Sequence, residues 1–161
     1  MLTIDILAIG RLKQEAEEKL QARYLDRINK AGPALGLKSI AMDELSEGKD
    51  ANTQKRQGDE ASRLLARTAP ATHLVAMDEN GRHFTSRQFA DFIRRQLDDG
   101  TPALAFALGG PDGHDAALLQ AAQTRLSLSK MTLPHGLARV TLLEQIYRAV
   151  TILTGHPYHR D

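Results

Sequence analysis

Apolar residues recur in two rhythms along this chain. Dense runs at Leu2 to Ile9, His73 to Met77 and Ala103 to Leu108, with a weaker one at Leu37 to Met42, have the profile of strands covered on both faces. Between them the spacing lengthens to three and four. Ala16, Leu20, Tyr24 and Ile28 predict a helix from about 13 to 30, stopped by Gly32-Pro33. Residues 43–60 hold only Leu45 and Ala51 as apolar groups. Their first part is expected to be a mobile loop, and a helix with a thin stripe of Ala61, Leu64 and Leu65 to run from about Thr53 to Thr68. Asp78-Glu79-Asn80-Gly81 has the composition of a turn. Thr85-Ser86 caps a helix carrying Phe89, Phe92 or Ile93, and Leu97, closed by Gly100. A helix over Ala116 to Ala122, Leu126 and Leu128 alternating with serines, and a final helix from about Gly136 to Thr154 complete the pattern.

Strands alternating with helices predict a parallel α/β sheet with helices on both faces, an α/β/α sandwich. In such sheets ligands sit at the carboxyl ends of strands. Three segments would meet there: Met77-Asp78, Gly109-Gly110-Pro111, and Ser129 to Pro134. No repeat and no Ser/Pro linker divides the chain, so a single domain over 1–161 is expected.

Composition narrows the chemistry. A hydrophobic fraction of 42% with 25% charged residues is that of a globular chain. Without cysteine there are no disulfides, thiol nucleophiles or cysteine metal sites. No run approaches the roughly 18 apolar residues of a membrane span, and the amino-terminal run, interrupted by Asp5, lacks the basic segment of a signal peptide. The expected location is the cytoplasm, away from any membrane. The net charge of +1 argues against a basic coat for nucleic acid. The charge is uneven, however. Residues 123–161 hold five basic and two acidic side chains and three of the six histidines, and the preceding residues hold 16 basic and 18 acidic ones.

Four segments carry candidate chemistry. Gly109-Gly110-Pro111-Asp112-Gly113 is either a tight strand-to-helix turn, with Asp112 or Asp115 as cap, or a loop that lets a ligand approach the backbone. It matches neither the P-loop nor the dinucleotide fingerprint. Ser127 to His135 is too apolar for a solvated loop and too polar for a plain strand. Periodicity favours a buried strand ending in a proline turn; the alternative is an irregular backbone offering amides and apolar walls to an adenine-like ligand. On the last helix, Leu142, Leu143, Ile146, Ala149, Val150 and Leu153 form one face. Leu137, Val140 and Tyr147 lie opposite, around Thr141, Glu144, Arg148 and Thr151. The second face predicts a contact with another subunit, because a buried Glu144–Arg148 pair would be costly within a monomer core. The tail, His156-Pro157-Tyr158-His159-Arg160, is a frayed end or a set of groups suited to stacking a base and binding phosphate. His156, His159 and His135 lack the spacing of a metal site, and no metal is expected.

These residues carry a resemblance. Leu7-Ala8-Ile9-Gly10, the Gly109 to Gly113 loop, Leu126 to His135, Glu144 to Ala149 and Tyr158-His159-Arg160 together resemble the bacterial RlmH family across nearly the whole chain. That family consists of large-subunit ribosomal RNA pseudouridine-N3 methyltransferases of the SPOUT class. The resemblance implies a carboxyl-terminal trefoil knot, a homodimer through the last helix and S-adenosylmethionine as methyl donor. Carried over by position, Met77, Gly110, Ser129, Lys130, Met131, Thr132, Leu133 and Pro134 would touch that donor. The substrate would be a pseudouridine of 23S ribosomal RNA in the ribosome, and its N3 proton must leave. His135 and His159 are the candidate acceptors. Arg139 and Arg160 would hold phosphate or base oxygens, Tyr158 would stack the base, and the tail of one subunit would complete the pocket of the other. Asp112 stands where relatives often carry Glu, a neutral change for a loop used through its backbone. Met77 stands where Leu is typical. Two other readings compete: a SPOUT enzyme acting on another RNA such as transfer RNA, and a ribosome-binding module without catalysis.

Overall fold

A computed structural model describes all 161 residues, Met1–Asp161. Five parallel strands, β1 (Leu2–Ile9), β2 (Leu37–Leu45), β3 (Thr72–His83), β4 (Ala103–Leu108) and β5 (Thr124–Ser127), form one sheet in the order β2-β1-β4-β3-β5. The helices between and after them are α1 (Glu15–Ala31), α2 (Thr53–Ala66), α3 (Ser86–Asp98), α4 (Ala116–Ala121) and α5 (His135–Thr154). A short 3₁₀ turn, Gly32–Leu35, follows α1 where Gly32-Pro33 was expected to stop it.

The strand period of two sorts the core into two layers. Leu2, Ile4, Ile6 and Ala8 of β1 and Leu104, Phe106 and Leu108 of β4 pack with Ile28, Phe89, Ile93, Leu142, Leu143 and Ile146, beneath α1, α3 and α5. Leu7, Ile9, Ala105 and Ala107 point the other way, onto Ala61, Leu64 and Leu118 of α2 and α4. The expected α/β/α sandwich is present. Strand pairing specifies neighbours and direction; the threading that would make a knot is a separate property.

Three elements differ from expectation. Strand β2 continues through Asp43 and Glu44 to Leu45, because an edge strand tolerates polar side chains on its open flank. Residues 46–52 are tied down, with Gly48 N donating to Glu60 Oε2 at 2.9 Å and Arg56 Nη1 donating to the Asp50 and Ala51 carbonyls. The predicted turn at Asp78–Gly81 is instead an excursion within β3, since Met77 and Arg82 both oppose Leu126 of β5. Gly81 closes it: a Cβ there would lie 2.7 Å from the backbone of Arg125 and Leu126.

Helix α5 lies between α1 and α3, the most enclosed position on its face. Val140 and Thr151, assigned above to an intersubunit face, are buried within this chain, and Tyr147 packs 6.1 Å from Tyr24 of α1. The Glu144–Arg148 pair keeps only 18% and 24% of its side-chain exposure.

The contact at Gly81 makes a definite demand. Gly81→Ala should lower stability by about 1–3 kcal/mol, the usual range for overpacking a closed site. A urea midpoint equal to that of the parent chain would show that the backbones can separate without cost.

Candidate functional site

The connectivity makes a cleft at the carboxyl end of β4. The chain leaves β1 and β3 toward the α1/α3 layer but leaves β4 toward the α4 layer, so the loops on either side of β4 diverge. Strand β5 lies at the sheet edge, whereas α5 sits at the centre of the first layer. Residues 128–134 must therefore cross the strand ends. The result is a cavity of about 380 Å³ walled by Ile9, Met77, the Gly109–His114 loop, Leu128, Ser129 and Met131 to Leu133. That volume lies within the ordinary range of small-molecule sites.

The three segments expected at this edge do meet. Met77, Gly110, Ser129, Met131, Thr132 and Leu133 line the cavity, whereas Lys130 and Pro134 fall outside its wall. Between Leu128 and Leu133 there is no main-chain ladder. Ser127 Oγ donates to the Ser129 carbonyl, and Met131 N donates to Ser129 Oγ, both at 2.9 Å. The amides of Leu128, Ser129, Lys130, Thr132 and Leu133 have no protein partner. Main-chain polar groups beside apolar side chains suit a flat heteroaromatic ligand, so the irregular-loop reading of this segment replaces the buried strand. A Cβ on Gly110 would meet Ile9 Cγ2 at 3.0 Å, so the loop lies tightly against the end of β1.

Two histidines line the cavity. His135, exposed, opens α5. His114 was not singled out in the sequence; its position directly after Gly113 was the available signal. Its Nε2 lies 3.0 Å from the Ala107 carbonyl, which requires the hydrogen on that nitrogen. Burial holds this imidazole below the usual histidine range, against the opposing effects of that bond and of Asp78 and Asp115.

Arg139 also lies in the wall, yet it is only 3% exposed. Nη1 donates to Glu44 Oε2 at 2.6 Å and Nη2 to the Gly10 carbonyl at 3.1 Å. In this chain the guanidinium is engaged by Glu44 and the Gly10 carbonyl, an arrangement that positions the start of α5.

The tail does not reach the cavity of its own chain. Tyr158 Oη donates to Glu144 Oε1 at 3.0 Å, and its ring lies 4.9 Å from that of Tyr147. Burial, with Tyr24 and Glu144 beside it, pushes the Tyr158 phenol well above its ordinary range. Arg148 Nη1 donates to His159 Nδ1 at 3.2 Å, leaving Nε2 to donate to Asp161 at 3.0 Å. Arg87 then holds Asp161 through Nε at 2.7 Å. Folded this way, His159 has no free lone pair for a proton, while Arg160 is exposed.

An open parallel sheet with a cavity of mixed polar and apolar lining at its carboxyl edge defines an α/β fold of the ligand-binding kind. The family model described as Predicted SPOUT methyltransferase matches residues 2–159, and the chain belongs to that family. Its members use a methyl donor of the S-adenosylmethionine type. A protein of Brucella anthropi named ribosomal RNA large subunit methyltransferase H is 43% identical over 160 residues, covering 99% of this chain and 100% of its own. Relatives of the same name from Methylocella silvestris and Sinorhizobium fredii are 44% and 46% identical, with 99% of this chain covered in each case.

The half-buried His114 imidazole predicts a pH effect. The unfolded chain binds a proton near the ordinary value of 6.5 and the folded chain only below it, so stability falls as the pH drops through that value. Thermal midpoints should decline from pH 7.5 to 5.5, and His114→Asn should flatten the decline. An identical slope in the variant would refute the assignment.

Proposed function

We propose that this chain methylates N3 of a pseudouridine in 23S ribosomal RNA within the assembled ribosome, using S-adenosylmethionine. It would act as one SPOUT domain over residues 1–161, working as a cytoplasmic homodimer. The observation that carries the reading is the set of unpartnered amides at Leu128, Ser129, Thr132 and Leu133, residues that line the cavity together with Gly110. The names of the relatives support the RNA substrate, and the resemblance supports the target atom.

The cavity fits the donor in size and chemistry. The free amides of Leu128, Ser129, Thr132 and Leu133 would bind the adenine edge, Met77 and Leu133 would supply apolar walls, and Gly110 would present its backbone in the wall. Lys130 and Pro134 would act by shaping the turn between these contacts. The donor supplies an electrophilic methyl group on a sulfonium, so the protein's task is alignment and removal of the N3 proton. His135, exposed at the cavity mouth, is the proton acceptor available on the same chain.

The tail supports a dimeric arrangement. Tyr158 and His159 are held on α5, and Asp161 on α3, of their own chain, outside the cavity the tail would serve. A second copy can bring the same residues to that cavity, where His159, released from Arg148, becomes a second acceptor. Arg160 would then bind phosphate and Tyr158 stack the base.

Tritiated methyl transfer tests the reading with ribosomes lacking the modification, free ribosomal RNA and transfer RNA as substrates. Label is expected on the large subunit; labelling of transfer RNA alone would move the chain to another substrate, and no label on any RNA would favour a binding module. Sedimentation should give twice the 17.7 kDa chain mass. Removal of residues 158–161 should abolish transfer while leaving binding of S-adenosylmethionine intact. Mixing that truncation with Gly110→Val should restore roughly a quarter of the parental activity, since a mixed pair has one complete site. Failure to recover activity would contradict the shared site.

A further inference from the structure

Helix α2 contacts the Gly109–Gly113 loop from the side away from the cavity. Its residues Arg56, Gln57 and Glu60 occupy positions i, i+1 and i+4, and each reaches toward that loop. Arg56 grips the Asp112 carboxylate with two prongs, Nε to Oδ2 at 2.9 Å and Nη2 to Oδ1 at 3.2 Å. Its Nη1 is anchored on the carbonyls of Asp50 and Ala51 at 2.9 and 3.0 Å, and Nη2 also reaches Thr53 Oγ1 at 3.1 Å. Gln57 Nε2 donates to the Asp112 carbonyl at 2.7 Å. Glu60, only 4% exposed, accepts from Gly48 N through Oε2 at 2.9 Å. Its Oε1 is buried without a partner, and a Cβ on Gly110 would come within 3.4 Å of both carboxylate oxygens.

The loop has little of its own to hold it. Its one internal main-chain bond is Gly113 N to the Gly110 carbonyl at 3.0 Å, and three of its five residues are glycine. A loop of that composition is intrinsically loose. We infer that Arg56 and Gln57 are positioning residues that hold the Gly109–Gly113 loop in its ligand-ready shape, with Glu60 packed behind Gly110, and thereby set the affinity for the methyl donor. Asp112, treated in the sequence as neutral, becomes the handle by which α2 holds the loop. A loop ordered beforehand loses less entropy when the ligand arrives, so the clamp acts on binding and leaves the transfer step alone. This inference rests on the reading of the cavity as the methyl-donor site.

Two measurements separate the clamp from that reading. Calorimetric titration with S-adenosylmethionine should show about tenfold weaker binding for Arg56→Ala, a loss of preorganisation. KM for the donor should rise in parallel, with kcat at saturation changed less than twofold. Arg56→Lys, which keeps a charge near Asp112 but loses the fork, should recover part of the affinity. Amide exchange at residues 109–113 should quicken in Arg56→Ala without any ligand. Should Arg56→Ala fail to fold, Gln57→Ala, which removes a single bond to the loop, takes its place with a smaller effect in the same direction. Parental affinity and parental exchange in the folded variant would overturn the clamp. If the parent chain itself fails to bind S-adenosylmethionine, the cavity reading falls. Loop exchange then decides alone: quicker exchange keeps the clamp, and unchanged exchange removes it.

Discussion

The Arg139 guanidinium, bonded to Glu44 and to the Gly10 carbonyl, ties the second turn of α5 to the ends of β1 and β2. Glu44 Oε2 also accepts from Leu12 N at 3.0 Å, so the segment leaving β1 is held by the same carboxylate. Residues 128–134 hang between two fixed points, the end of β5 and this anchored start of α5. With the anchor in place, the crossing segment has little choice of path along the cavity wall. Only the Arg139 side of this pair is buried, and Glu44 keeps access to solvent, so its Coulombic gain is modest. Arg139 also leaves its Nε buried without a partner. The pair is therefore better understood as a fixer of position than as a gain in stability.

The parallel sheet does the complementary work. Because every strand points the same way, all the loops that carry chemistry leave from one edge, and the divergence of helices around β4 opens the cleft there. The two helical layers then divide their labour. The first layer anchors α5 and with it the amide-rich crossing segment; the second, through α2, holds the glycine loop. The cavity is thus formed between two segments of irregular backbone, each gripped by a regular element behind it. Precise placement of a ligand does not require the loops themselves to be stiff.

The elements with a clean period were legible before the structure. Leu2 to Ile9 and Ala103 to Leu108 alternate between two buried faces, and Thr85 opens α3 with a reciprocal capping box to Gln88. The convergence of Met77, Gly110 and Ser129 followed from parallel topology alone. Features set by distant partners were not legible. Asp78–Gly81 has turn composition, and only the close approach of the Arg125 backbone makes it a bulge. Arg139 looked like any basic residue near a site, since its partner lies 95 residues away. The mixed face of α5 points from sequence to another subunit, although Tyr24 and the chain's own tail partly cover it. In each case the missing information was a contact between segments far apart in sequence.

The same contacts change the meaning of the charge distribution. Of the five basic residues beyond position 122, Arg139 and Arg148 are neutralised by Glu44 and Glu144, which leaves Arg125, Lys130 and Arg160 without acidic partners. The carboxyl-terminal excess of positive charge therefore includes two residues engaged in holding the fold. Three unpaired cations in the carboxyl-terminal part of a chain of net charge +1 make a weak electrostatic attractor at the site. Each phosphate contact contributes a roughly unit slope to the dependence of binding on salt, so few contacts mean a shallow dependence and little non-specific affinity. On the proposed reading, recognition must come from shape, from stacking by Tyr158 and from two chains acting together. An assembled ribosome presents such a surface, and a free strand does not.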